Sequence, residues 1–174
     1  MADIAAFLTL IKKNEGDGLD LTPSDPGNWT GGAVGHGELH GSKCGISAAA
    51  YPTLDIASLT DAAIAFLYRR DYLDAISFDA LPPKVGLLVA DCAVNQGVYA
   101  AAVCLQEALG VDADGVIGPI TIGRAQARAA DEQAMLDEIM ARRALAYAGM
   151  RDIPIFGLGW YRRLIRAFRA AEAA

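Results

Sequence analysis

The chain has 174 residues, 53% of them hydrophobic, and a formal net charge of −6. A chain of that size and apolar content can bury a core without disulfides or metal, and its shortage of positive charge argues against a general nucleic-acid binder, which has to neutralise phosphates. Its three cysteines, Cys44, Cys92 and Cys104, are odd in number and irregular in spacing, so they read as free, partly buried thiols and not as a disulfide framework or a zinc site.

In chain order, Ile4, Phe7, Leu8 and Ile11 fall at helical spacing and predict a first helix from about Asp3 to Asn14, stopped by Gly16 and Gly18. In the same stretch the positive charges of Lys12 and Lys13 follow the short apolar run, which is the reverse of a secretory signal. With no run of about 18 apolar residues to span a bilayer, the expectation is a protein made in the cytoplasm without a signal peptide and without stable membrane insertion. From Gly16 to Gly45 glycines crowd together with Pro23, Pro26 and Asn28, and no apolar period survives. This reads as loop with a short hairpin, and so long a glycine-rich loop inside a compact domain is usually functional.

Helices then resume. Thr60 and Asp61 read as the cap of a helix over 62–71. Pro82 and Pro83 open one whose apolar stripe, Val85, Leu88, Val89 and Cys92, continues to Gln96, and Gly97 separates it from a short helix over 99–109. Gly110–Gly118 is a turn-rich loop and Pro119 starts another helix. Asp131 caps a longer one that Gly149 stops after Ala148, and Gly157 and Gly159 precede a last helix, Trp160–Ala173. With alanine, the best helix former, so abundant, the expected class is all-α with one glycine-rich insertion.

Glu15 stands where the first helix ends. The C-terminal end of a helix carries partial negative charge, which disfavours a carboxylate and suits a general acid that has to hold its proton. Read on position alone, Glu15 is better taken as a solvated surface glutamate near Lys12 and Lys13. Asp25 and Ser42 follow it in order, a second carboxylate and a hydroxyl just before Gly45-Ile46. Glycosidic cleavage uses one carboxylic acid to protonate the leaving oxygen and a second group to steady charge or position water. Asp25 also suits an Asx turn with Pro26-Gly27, and Asp17 and Asp20 are rivals for the second carboxylate.

The runs Asn14-Glu15-Gly16, Ser24-Asp25-Pro26-Gly27-Asn28-Trp29-Thr30-Gly31-Gly32 and Gly41-Ser42-Lys43-Cys44-Gly45-Ile46-Ser47 resemble glycoside hydrolase family 108, the phage and prophage lysozyme-like N-acetylmuramidases. That family's pattern has Glu-Gly-Gly, Asp-Pro-Gly-Asn-Trp-Thr-Gly-Gly and Gly-Thr-Lys-Tyr-Gly-Ile. Here Asp17 replaces the second glycine, Ser42 the threonine and Cys44 the tyrosine, and the segment to Asp25 is one residue longer. The second half, through Asp91-Cys92-Ala93-Val94-Asn95-Gln96-Gly97, Leu105-Gln106-Glu107-Ala108-Leu109-Gly110 and Asp114-Gly115-Val116-Ile117-Gly118-Pro119, is similar to the peptidoglycan-binding region that accompanies the family.

The resemblance implies one lysozyme-like domain over 1–174, with a catalytic lobe at 1–80 and a helical lobe at 81–174 that faces the first helix and the glycine-rich loop across a cleft. It implies hydrolysis of the β-1,4 bond between N-acetylmuramic acid and N-acetylglucosamine, with Glu15 as the acid, Asp25 and Ser42 organising the far side, and no cofactor. Trp29 is expected to stack on a sugar or to pack under its loop. Asn95 and Gln96 are expected to hydrogen-bond sugar or peptide, or to fix the helix end. The expected partner is peptidoglycan, reached in the periplasm of a Gram-negative host by a holin-type route, with the protein a monomer. The rival readings are a non-catalytic wall-binding module and a hydrolase of chitin or chitosan.

His36 and His40 lack a third ligand at useful spacing, so no metal site is expected. Asp112 and Asp114 before Gly115 lack the glutamate of a calcium loop, leaving a structural turn. Arg162, Arg163, Arg166 and Arg169 of the last helix read as a solvated face in preference to a contact with anionic envelope surfaces.

Overall fold

The computed structural model describes residues 3–174 and is mainly helical, as expected. Seven helices accompany one small sheet among the described residues. The chain forms two compact units, Ile11–Tyr68 and the N-terminal residues to Leu10 together with Arg69–Ala174. Helix α1, Ile4–Glu15, contributes to both.

In the first unit, the strands β1 (Leu19–Asp20), β2 (Ser42–Lys43) and β3 (Ile46–Ser47) form an antiparallel sheet in that order. Leu19 pairs with Lys43 and Asp20 with Ser42, while Ser42 also pairs with Ser47 and Lys43 with Ile46. The glycine-rich stretch between β1 and β2 is tied down by the fully buried Asn28. Its carbonyl accepts from the backbone of both His40 (3.1 Å) and Gly41 (3.0 Å), and its side chain donates to Thr22 O (3.1 Å). Helix α2, Asp61–Tyr68, closes the unit and buries Ile64, Leu67 and Tyr68. It is shorter than predicted because the chain widens into a π-type turn over Arg69–Leu73.

The second unit is built on α3, Pro83–Gln96, in which every residue from Val85 to Ala93 is buried. A helix covered all round has to be central, and α4 (Val98–Leu109), α6 (Glu132–Ala148) and α7 (Ile153–Glu172) pack on it. Gly97 joins α3 to α4 at φ 95° and ψ 153°, a backbone state essentially reserved for glycine, so no further linker residue is needed. Helix α5 is Pro119–Ala127. The loop before it is a structural turn centred on the buried Gln106, which donates to Asp114 (2.6 Å) and to Val116 O (2.9 Å) and accepts from Gly115 N (2.9 Å).

Two expectations need correction. The last helix starts at Ile153, not Trp160, with Pro154 in its first turn. Gly157 lies inside it because a Cβ there would come within 2.8 Å of Ile153 Cγ1, so this glycine serves packing and does not break the helix. Arg163 is also no part of a solvated face. It is buried and its Nε lies 3.0 Å from Asp91 Oδ1, while Arg143 of α6 holds Asp91 Oδ2 at 2.8 Å. Asp91 and Arg143 are fully buried, a placement that ionised groups keep only when paired. The three cysteines are free thiols.

Candidate active site

Glu15 is the last residue of α1, and Gly16 leaves the helix in the left-handed conformation (φ 88°) while its N–H closes on Lys12 O at 2.9 Å. The acid is exposed to solvent. Its side chain lies against the tip of the β2–β3 hairpin, whose two turn residues, Cys44 (φ 51°) and Gly45 (φ 74°), both have positive φ as a tight type I′ turn requires. A Cβ on Gly45 would stand 3.2 Å from Glu15 Cγ and 2.8 Å from the Tyr68 hydroxyl. That hydroxyl, on a buried ring, donates to Cys44 O at 2.6 Å. The last residue of α2 thus holds the hairpin tip, and the tip abuts the acid.

A charged chain runs beside it. Lys12, one turn before Glu15, pairs with Asp61 (2.7 Å) and Asp17 (3.3 Å), and its ammonium is held above the usual lysine range chiefly by Asp61. Asp17 in turn accepts from the Cys44 thiol across 3.6 Å. Burial, and next the Asp17 carboxylate, push that thiol up, which keeps it protonated.

Ser42 sits in one cross-strand row with Asp20 and Ser47. The next row, Leu19, Lys43 and Ile46, includes the buried Ile46, so by strand alternation the Asp20–Ser42–Ser47 row faces away from Ile46. Asp25 makes the Asx turn anticipated for Asp-Pro-Gly, with Oδ1 accepting from Gly27 N at 2.8 Å. This turn lies on β3: the Cβ direction of Gly27 meets Ser47 Cβ at 3.9 Å, and Gly27 O accepts from Ala49 N at 3.0 Å. Asp25 and Ser42 therefore come to the same small sheet through Ser47. The rival Asp20 is directly across from Ser42, and bonds from the Thr22 side chain and backbone (2.6 and 2.8 Å) hold its carboxyl below the usual range. Next to β1 lies a mostly apolar groove of about 510 Å³, lined by Leu19, Leu21, Leu39, His40, Leu54 and Asp55 among others, a volume typical of small-ligand sites.

Trp29 is half-buried and its indole N–H is spent on Pro23 O at 2.9 Å, which anchors the ring in its own loop. His36 is exposed and His40 pairs with Glu38 at 2.8 Å. Among the described residues no three potential ligands converge on a metal position.

Asn95 and Gln96, at the end of α3, lie in the other unit. Both side-chain carbonyls are engaged inside it. Asn95 Oδ1 accepts from the Tyr147 hydroxyl, and Gln96 Oε1 accepts from Arg143 Nε (3.1 Å) and the Cys92 thiol (3.3 Å). Both residues are only partly buried. Sequence reading gave no role to Tyr68, which lies in the family-like run Tyr68-Arg69-Arg70-Asp71-Tyr72, and missed the Asp91–Arg143–Arg163 cluster. For Asp91 a signal existed: a lone acid on the apolar stripe of a helix, three residues from Leu88, demands a buried partner.

Comparison with known proteins matches residues 8–97 to the glycosyl hydrolase 108 family and residues 100–165 to a predicted peptidoglycan domain. Among solved structures, that of Brucella abortus SagA aligns with a TM-score of 0.75 and 28% identity, over 98% of this chain and 94% of that one. No curated protein matches by sequence.

Proposed function

Because the chain belongs to the glycosyl hydrolase 108 family, we propose that it is an N-acetylmuramidase that hydrolyses the β-1,4 bond between N-acetylmuramic acid and N-acetylglucosamine in peptidoglycan. The observation that carries this reading is the position of Glu15, an exposed carboxyl at the end of α1 set against the glycine of the hairpin tip. There it donates its proton to the glycosidic oxygen as the bond to the sugar breaks. Asp25 and Ser42, brought to one sheet, position the water or steady the positive charge that develops on the sugar ring. Residues 1–80 supply this chemistry. Residues 81–174, most of which match a peptidoglycan domain, hold the wall, with the Asn95 and Gln96 amides as donors. No cofactor takes part. The biological role that fits is an endolysin of phage or prophage origin, acting as a monomer on the wall in the periplasm of a Gram-negative host after release through a holin.

The test is digestion of purified Gram-negative sacculi by wild type and Glu15→Gln, with products read by mass spectrometry. Muropeptides with reducing N-acetylmuramic acid ends from the wild type alone are expected. Equal digestion by Glu15→Gln removes Glu15 as the acid. Sacculus binding without digestion by the wild type makes the protein a wall-binding module, and digestion of chitin or chitosan in place of sacculi moves the substrate to another glycan.

A further inference from the structure

The outward face of α7 combines features that a purely solvated helix does not need. Ile155, Leu158 and Ile165 are 72%, 66% and 51% exposed. They alternate with the exposed Arg162 and Arg169 along one stripe at three- and four-residue spacing. Phe156, 54% exposed, flanks it. Glu172, the final residue, is the one acid in α7. The opposite side of the helix is already used, with Leu164, Ala167 and Ala171 buried in the unit's core.

We propose that this face docks the protein on an anionic phospholipid surface. Charge complementarity selects that occupant. The chain as a whole carries −6, so its net charge opposes any anionic surface, yet α7 itself holds four arginines against Glu172, with Asp152 capping its first turn, and Arg162 and Arg169 stand between the exposed aliphatics of this stripe. Branched aliphatics between guanidinium groups match the boundary between acyl chains and phosphates, where the apolar side chains leave water and the cations meet negative headgroups. A second copy in a two-fold contact repeats the same patch and sets arginine against arginine. No helix among the described residues is long and apolar enough to cross a membrane, so the contact is peripheral and made by the folded unit.

The experiment is co-sedimentation of the whole protein with phosphatidylcholine vesicles, with and without phosphatidylglycerol. It compares the wild type with Ile155→Ser/Leu158→Ser/Ile165→Ser and Arg162→Gln/Arg169→Gln, all checked for an unchanged circular dichroism melt. The wild type is expected to sediment with the anionic vesicles only and to be released by salt, and either set of substitutions to weaken binding by roughly tenfold or more. Absence of the wild type from the anionic pellet, or equal binding by the variants, overturns the proposal. Loss of binding to lipid-free sacculi in the variants assigns the face to the glycan instead. A dimer by light scattering that the serine variant dissociates assigns it to a second copy.

Discussion

The Cys44 thiol donates to the Asp17 carboxylate across 3.6 Å, and these are two of the positions at which the chain departs from the family's motifs. Asp17 stands for a glycine and Cys44 for a tyrosine, 27 positions apart in sequence, yet they meet beside the hairpin tip that abuts Glu15. A small side chain at position 44, 1% exposed, leaves room for the carboxylate, and the carboxylate supplies its acceptor. The two exchanges form one local solution.

This coupling predicts a non-additive pair. Cys44→Tyr alone is expected to overpack the tip and cost about 1–3 kcal/mol. Asp17→Gly alone is expected to cost less than about 1 kcal/mol, because Asp17 pairs with Lys12 at an exposed site. Together they should cost less than their sum. A urea-denaturation cycle checks this, and additivity within about 0.5 kcal/mol refutes it.

Tyr68 bonds the hairpin tip that lies against Glu15. Tyr68→Phe deletes the donor to Cys44 O and is expected to cost about 1 kcal/mol of stability. It should lower kcat on sacculi more than it raises KM. Gly45→Ala meets both a positive φ and the Tyr68 hydroxyl, with an expected cost of about 1–2 kcal/mol and a larger activity loss than Tyr68→Phe. Unchanged kcat in both variants means that the tip does not position the acid.

Substitution separates the carboxylates near Ser42. Asp25→Asn is expected to reduce the rate about 100-fold or more, with Ser42→Thr active and Ser42→Ala impaired. Asp20→Asn should act mainly on stability, since its carboxylate already serves Thr22. The reverse ranking in initial rates of muropeptide release transfers the second role to Asp20.

Acid pH tests the paired aspartates. Arg69 holds the Asp79 carboxyl below its ordinary 3.8 through a 2.7 Å bond, and Gln106 does the same for Asp114. A depressed folded-state pKa means stability that is complete above the unfolded value of 3.8 and is lost as pH falls through the folded value. Asp79→Asn should therefore flatten the decline of stability below that pH and leave the curve above pH 5 unchanged in shape. Thermal melts from pH 6 to pH 2 read the difference, and an unaltered decline discounts the pair.

Much of the helical framework was legible because its punctuation is local. Pro83, Gly97, Pro119 and Gly149 stand at or next to the helix ends observed. Gly157 misled because a breaker and a close-packing glycine look alike until Ile153 is seen above it. The motif around Glu15 placed the acid at a helix end, but its support by Tyr68 depends on a hydrogen bond across 24 positions, which no periodicity encodes. The two-residue strands are too short to alternate, so the Asp20–Ser42–Ser47 row was invisible before the register was known. Arg163 looked like one more surface arginine because its partner is 72 positions away.

Asp91, shared between Arg143 and Arg163, also bears on how such proteins can be recombined. The two family segments divide the chain between Gly97 and Ala100, an inviting place to cut or to exchange halves between relatives. Asp91 is on one side of that seam and both arginines are on the other, inside a single compact unit. Separated halves would each carry buried charge stripped of its counterion, at a cost of about 3–5 kcal/mol before any lost packing is counted. An exchange that respects the fold has to move α3 with α6 and α7, or supply the matching acid and arginines from the donor.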